Sequence, residues 1–146
     1  MNTLLLEAVR KTVTVDCSVE EAFRIFTEDV ASWWPTGSHS IHGEKVTDVV
    51  FEPREGGEVY ELSEDGEKGR WATVVAFEPP ARIVLSWEVN PKLTGTEVEV
   101  RFAQEGAGTR VELEHRGWDK AFADERAGYD TGWDFVLGKY VQRAGA

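Results

Sequence analysis

The sequence predicts an α+β fold: a curved antiparallel sheet of about seven strands around one long C-terminal helix, with two short helices after the first strand. Three observations carry this expectation. Short segments of alternating apolar and polar residues recur between turn signals over most of the chain, which is the period of half-buried strands. In the C-terminal segment the period changes, and Tyr129, Trp133, Val136, Leu137, Tyr140 and Ala144 form one stripe at helical spacing. A sheet with one dry face and a helix with one aromatic stripe can bury both surfaces against each other.

The elements follow in order. Val9, Val13 and Val15 alternate with Arg10, Thr12 and Thr14, a half-buried strand; Lys11 falls in the apolar phase, which predicts a strand end where its ammonium reaches outward. Ser18 and Glu21 have capping-box spacing, so that the Ser oxygen and the Glu carboxylate can each accept a backbone N–H at a helix start. Val19, Ala22, Phe23 and Phe26 then give that short helix one apolar face. Trp33-Trp34-Pro35 ends the next helix, because proline disfavours helical geometry in the residue before it. Residues 36–45 are polar and read as a loop. Strands are expected at roughly 47–52, 57–62, 70–78, 82–89, 96–104 and 109–117, separated by Glu55-Gly56-Gly57, Glu64-Asp65-Gly66, Pro79-Pro80, Asn90-Pro91 and Glu105-Gly106. Gaps of hairpin length predict an antiparallel meander. In the last two strands Val98, Val100 and Phe102, and then Val111, Leu113 and His115, form the dry side. The final helix carries Gly128, Gly132 and Gly138, each costing about 1 kcal/mol relative to alanine in a helix interior. Three of them predict close approach to the sheet or open space beside it.

At 146 residues the chain is expected to form one domain, residues 1–146. Six Trp, seven Phe and three Tyr supply ample core. With 27 acidic against 16 basic residues, the net charge of −11 repels nucleic-acid backbones and anionic lipid, so neither nucleic acid nor membrane insertion is expected. The single cysteine, Cys17, excludes an internal disulfide; at a helix start the dipole could lower its pKa, but a packed structural thiol is the expectation. The Leu4-Leu5-Leu6 run is too short for a signal-peptide core, and a reduced cytoplasmic setting follows.

A sheet curving around one helix need not fill its interior, and its mouth is where ligand pockets form. Trp71, Trp87, Trp133, Leu137 and Tyr140 are the expected walls, with Trp87 in phase with Ile83 and Leu85. His115, in the dry phase, is the expected polar anchor, or else makes a structural hydrogen bond to Tyr129, Tyr140 or a carbonyl. Trp33, Trp34 and His39 stand where a lid or gate would be. His39, His42 and Glu44 lie close in sequence but on a loop without a cysteine, and no metal is expected there. The chain contains no G-x-S-x-G, P-loop, G-x-G-x-x-G or H-E-x-x-H sequence.

"VEEAFRIFT" at 19–27, "WWP" at 33–35, "GGEVYELSEDGEKGRWATVVAFEPPARIVLSWE" at 56–88, "TEVEVRFAQEGAGTRVELEHRGW" at 96–118 and "YDTGWDFVL" at 129–137 together resemble the START-like (SRPBCC) superfamily, in its branch of heat-shock protein 90 ATPase activator homologues. The resemblance covers nearly the whole chain and implies a helix-grip (Bet v-like) fold with a cavity between sheet and last helix, which in related proteins holds apolar molecules. The eukaryotic activators that give the branch its name carry an additional N-terminal domain, so a chaperone-activating role is not expected of these residues. The expected function is binding of a small, largely apolar ligand without a cofactor, leaving room for a homodimer. A cyclase- or hydratase-type enzyme using the same cavity is the alternative, with His115, Tyr129 and Glu88 moving protons. A protein-interaction module using the acidic outer face is the third reading.

Overall fold

In the computed structural model, which describes residues 5–90, 93 and 95–145, the first alternating segment forms strand β1, Val9–Val15. Leu4 of the triple-leucine run and Pro91 of the Asn90-Pro91 turn signal lie outside the described residues. Helix α1, Val19–Thr27, buries Ala22, Phe23, Ile25 and Phe26. Its cap is half of the expected box. Ser18 Oγ accepts the Glu21 N–H at 3.1 Å, whereas the Glu21 carboxylate turns to Arg24, one helical turn on. The second short helix is a single 3-10 turn, Val30–Ser32, stopped before Pro35.

Six further strands follow: β2 Val46–Phe51, β3 Glu58–Ser63, β4 Lys68–Glu78, β5 Arg82–Trp87, β6 Glu97–Glu105 and β7 Gly108–Arg116. They form the expected antiparallel meander, and β1 closes on β7, giving the order β1-β7-β6-β5-β4-β3-β2. Gly106, with φ of 60°, supplies the left-handed residue that the tight β6–β7 turn requires. The register is regular through β5, β6, β7 and β1. It shifts in the other half, where Tyr60 faces Arg70 while Val59 faces Ala72, and Val74 faces Leu85 while Ala76 faces Val84. Trp71 and Val75 are therefore the extra residues of two bulges, which bend and twist a strand. The sheet curls at that half.

Helix α2, Ala123–Ala144, buries Trp133, Val136, Leu137 and Tyr140 against the sheet. Near its C-terminus α1 fills the space under the helix. Tyr140 Oη donates to the Ala22 carbonyl at 2.8 Å, and the Phe26 and Trp33 rings lie 5.0 and 5.1 Å from the Tyr140 ring. Lys11 is not at a strand end. It sits mid-strand beneath α2, and its ammonium meets Asp130 at 2.7 Å and Asp134 at 3.1 Å. On the opposite, outer face Glu99 is buried under Arg82, Arg101 and Arg116. Burial alone would raise its carboxyl, but the three guanidiniums bring it down to about 2.

Candidate functional site

The other end of α2 is not backed by α1, and there the gap between helix and sheet stays open. A cleft of about 360 Å³ is walled by Trp34, Trp71, Trp87, Tyr129 and Trp133. Gly128 and Gly132 form its helix side: a Cβ on Gly128 would meet nothing within 4 Å, and one on Gly132 only the His39 ring at 3.9 Å. The open space expected beside these glycines is the cleft. Gly138 also faces open space, but on the exposed side of the helix.

Trp34 is the floor. Its ring lies 4.8 Å from Trp71, 6.2 Å from Trp87 and 5.8 Å from Trp133, and below it the interior closes to a void of about 20 Å³. The indoles are tilted by 39° to 89° from Trp34, so they do not form a parallel slot. A bound ring would lie on one indole and meet the edges of others, the arrangement aromatic quadrupoles favour. Trp87 Nε1 donates to Tyr129 Oη at 3.2 Å, tying the sheet wall to the helix wall; burial raises the Tyr129 phenol pKa.

The rim is polar: Ser38, His39, Ser40, Asn90 and Glu125. The 36–45 loop holds its place through the buried carboxylate of Glu61. Oε1 accepts from Ile41 N at 2.7 Å and Trp71 Nε1 at 2.6 Å; Oε2 accepts from His42 N and contacts His42 Nδ1, both at 2.6 Å. Burial alone would raise this carboxyl, but the donated hydrogen bonds hold it below the ordinary range, and the same contact raises the pKa of His42. Nothing in the pattern of β3 marked Glu61 except that it shares the inward phase with Val59 and Ser63. Glu125 was likewise unmarked, since its role depends on where the first turn of α2 comes to rest.

Of the residues expected at the site, Trp71, Trp87, Tyr129 and Trp133 line the cleft, as do Trp34 and His39, expected as a lid or gate. His39 stacks on Phe135 of α2 at 5.0 Å, closing the loop against the helix, while His42 is held by Glu61. The two histidines face different partners. Leu137 and Tyr140 belong to the packed core toward α1, and so does Trp33, whose Nε1 donates to the Ile25 carbonyl at 2.8 Å.

His115 is the main correction. It lies behind the cleft wall, fully buried, between Trp118 at 4.3 Å and Tyr129 at 5.1 Å. Its partner is none of those expected: Trp133 Nε1 donates to its Nδ1 at 3.0 Å, which places the ring proton on Nε2, a buried donor without a protein acceptor. Burial pushes its pKa down to about 3, so it is a neutral prop for Trp133. Glu88 faces outward, accepting from Thr73 Oγ1 at 2.8 Å and pairing with Arg70 at 3.0 Å. His115, Tyr129 and Glu88 therefore do not converge on one face. Cys17 is half-buried, and burial raises its thiol, opposite to activation by the helix dipole.

The family model described as activator of Hsp90 ATPase homolog 1-like protein matches residues 16–142. Among curated proteins none matches the chain. Among solved structures, the Aha1 dimer from Colwellia psychrerythraea superposes with a TM-score of 0.73 at 16% identity, over 95% of this chain and 96% of that one. A Bacillus halodurans protein gives 0.68 at 18% identity, over 97% and 99%. An anthrahydroquino-gamma-pyrone synthase, Txn09, is 35% identical over 79% of each chain, with a TM-score of 0.55. The curled seven-stranded sheet gripping a long C-terminal helix is the fold of these neighbours.

Proposed function

The chain belongs to the activator of Hsp90 ATPase homolog 1-like family, and on that premise we propose that it binds a small, largely apolar ring compound in the cleft between α2 and the bulged half of the sheet. One observation carries this reading. Five aromatic side chains enclose about 360 Å³ where two helix glycines leave room, a volume within the usual range for small-molecule sites. The walls are tied to each other and to the loop by Trp87–Tyr129 and Trp71–Glu61, so the site is preformed.

Acridine, neutral at pH 8, tests it. Binding should quench tryptophan emission saturably and raise the melting temperature, because a ligand of the native state stabilises it by mass action. Gly132→Leu should abolish both effects, since its side chain would occupy the space toward His39. Saturable binding unchanged in that variant would place the ligand elsewhere.

A second reading is favoured by the similarity to the Txn09 synthase: that the cleft shapes an aromatic polyketide-like substrate during ring formation. Its proton-bearing groups would then be Tyr129 and the rim residues His39 and Glu125, since His115 and Glu88 do not reach the space. Mass spectrometry of anthrahydroquinone-type compounds before and after incubation separates the readings; compounds bound but unchanged favour simple binding. The Colwellia neighbour is described as a dimer, and a homodimer of this chain would be seen by sedimentation. Among the described residues no helix is long and apolar enough to cross a membrane.

A further inference from the structure

We propose that the cleft selects ring compounds carrying a positive charge, an aromatic or aliphatic amine, and that Glu125 is the residue that makes the selection. The inference rests on the cleft being the binding site and specifies its ligand class. Among the described residues lining the space there is no lysine or arginine, while one carboxylate, that of Glu125, stands at the rim. Glu125 is half-buried. Its chain neighbour Arg126 does not neutralise it, because that guanidinium turns away to the Glu7 and Ala8 carbonyls at 2.7 and 3.4 Å. Its other chain neighbour, Asp124, is exposed and does not line the cleft, and Asp130 and Asp134, further along α2, are paired with Lys11.

The walls have the same preference. An indole presents a negative π face, and tryptophan is the best of the aromatic residues at attracting a cation set over its ring. Four indoles line this space, and with a carboxylate at the mouth they favour a cation that brings its own apolar rings. An anionic ligand of the same shape would meet the π faces and Glu125 with no lysine or arginine among the described lining residues, and the chain's charge of −11 would oppose its approach.

The test uses three tricyclic probes of matched outline at pH 8, above the ordinary imidazole range: 9-aminoacridine as cation, acridine as neutral, acridine-9-carboxylate as anion. Affinities are read by tryptophan quenching in 0.15 M salt. The cation should bind about tenfold tighter than the neutral probe, and the anion more weakly than either. Glu125→Gln should lower the cation-to-neutral ratio several-fold, leaving only the smaller preference that the indole faces supply. Glu20→Gln removes the same charge from an exposed position on α1 and should leave the ratio unchanged. Equal binding of all three probes, or an equal loss of preference in both variants, overturns the role of Glu125 while the cleft stands as the site. If none of the probes binds, the cleft reading itself fails.

Discussion

Replacing Glu61 by glutamine keeps the side chain's shape and removes its charge, and the structure says what this costs. Four donor contacts of 2.6–2.7 Å converge on two carboxylate oxygens. Glutamine offers one acceptor oxygen. With that oxygen toward Ile41 N and Trp71 Nε1, its NH2 faces the His42 N–H; in the reverse orientation it faces two donors. Either way at least one buried donor loses its acceptor, at about 1–3 kcal/mol, and the remaining bonds lose their charge assistance. A total loss of roughly 2–4 kcal/mol is expected from a domain whose stability is of the order of 5–15 kcal/mol. That corresponds to a fall in melting temperature of roughly 5–12 °C. Urea unfolding followed by tryptophan fluorescence measures the loss. Amide exchange adds a local readout: the Ile41 and His42 amides should lose protection before the strands do, and acridine affinity should drop as Trp71 and the Ser38–Ser40 rim loosen. A cost below about 0.5 kcal/mol, with both amides still protected, would refute the role of Glu61 as the anchor of the rim.

Two further outcomes are expected. The two perturbed histidines act on stability with opposite signs. The raised pKa of His42 means that its contribution is full below the ordinary imidazole value of about 6.5 and is lost as pH rises through its folded value. For His115, depressed to about 3, the unfolded chain takes up the proton first, so stability falls as pH drops from about 6.5 toward 3, by up to about 1.4 kcal/mol per pH unit. Between pH 6.5 and 4.5 the slope of unfolding free energy should be shallower by about that amount in His115→Gln, and identical slopes would contradict the burial of His115. Lys11→Met removes ion pairs whose aspartates are more than half exposed and should cost only about 0.5–1 kcal/mol. Trp133→Ala should cost about 3–5 kcal/mol; equal losses by denaturation would mean that ion pairs, and not the apolar stripe, hold α2 to the sheet.

The order and type of the main elements are legible in the residue pattern alone. Period-2 alternation is enough to place the strands, because one face of each must be dry, and β1 and α1 occupy the expected residues. The switch to helical spacing identified α2 and its buried stripe, and hairpin-length gaps imposed the meander from β2 to β7. The aromatic walls Trp71, Trp87 and Trp133 could be named because large apolar residues in an inward phase have nowhere else to go.

Where along α2 the interior is filled follows from packing between distant elements and not from any one segment's pattern. The stripe from Tyr129 to Tyr140 is continuous in sequence, yet α1 packs under Tyr140 and leaves Gly128 and Gly132 facing open space. Leu137 and Tyr140 thus became core while Tyr129 and Trp133 became cleft. Periodicity gives a residue's direction from its own element and says nothing about which neighbour arrives there. The same limit applies to His115, correctly placed facing inward but enclosed by Trp118, Tyr129 and Trp133. It applies also to Glu61, whose donors come from a loop some twenty residues earlier and from the next strand. The bulge at Trp71 and the closure of β1 on β7 depend on pairing between distant segments, and such pairing exists only once the chain has folded.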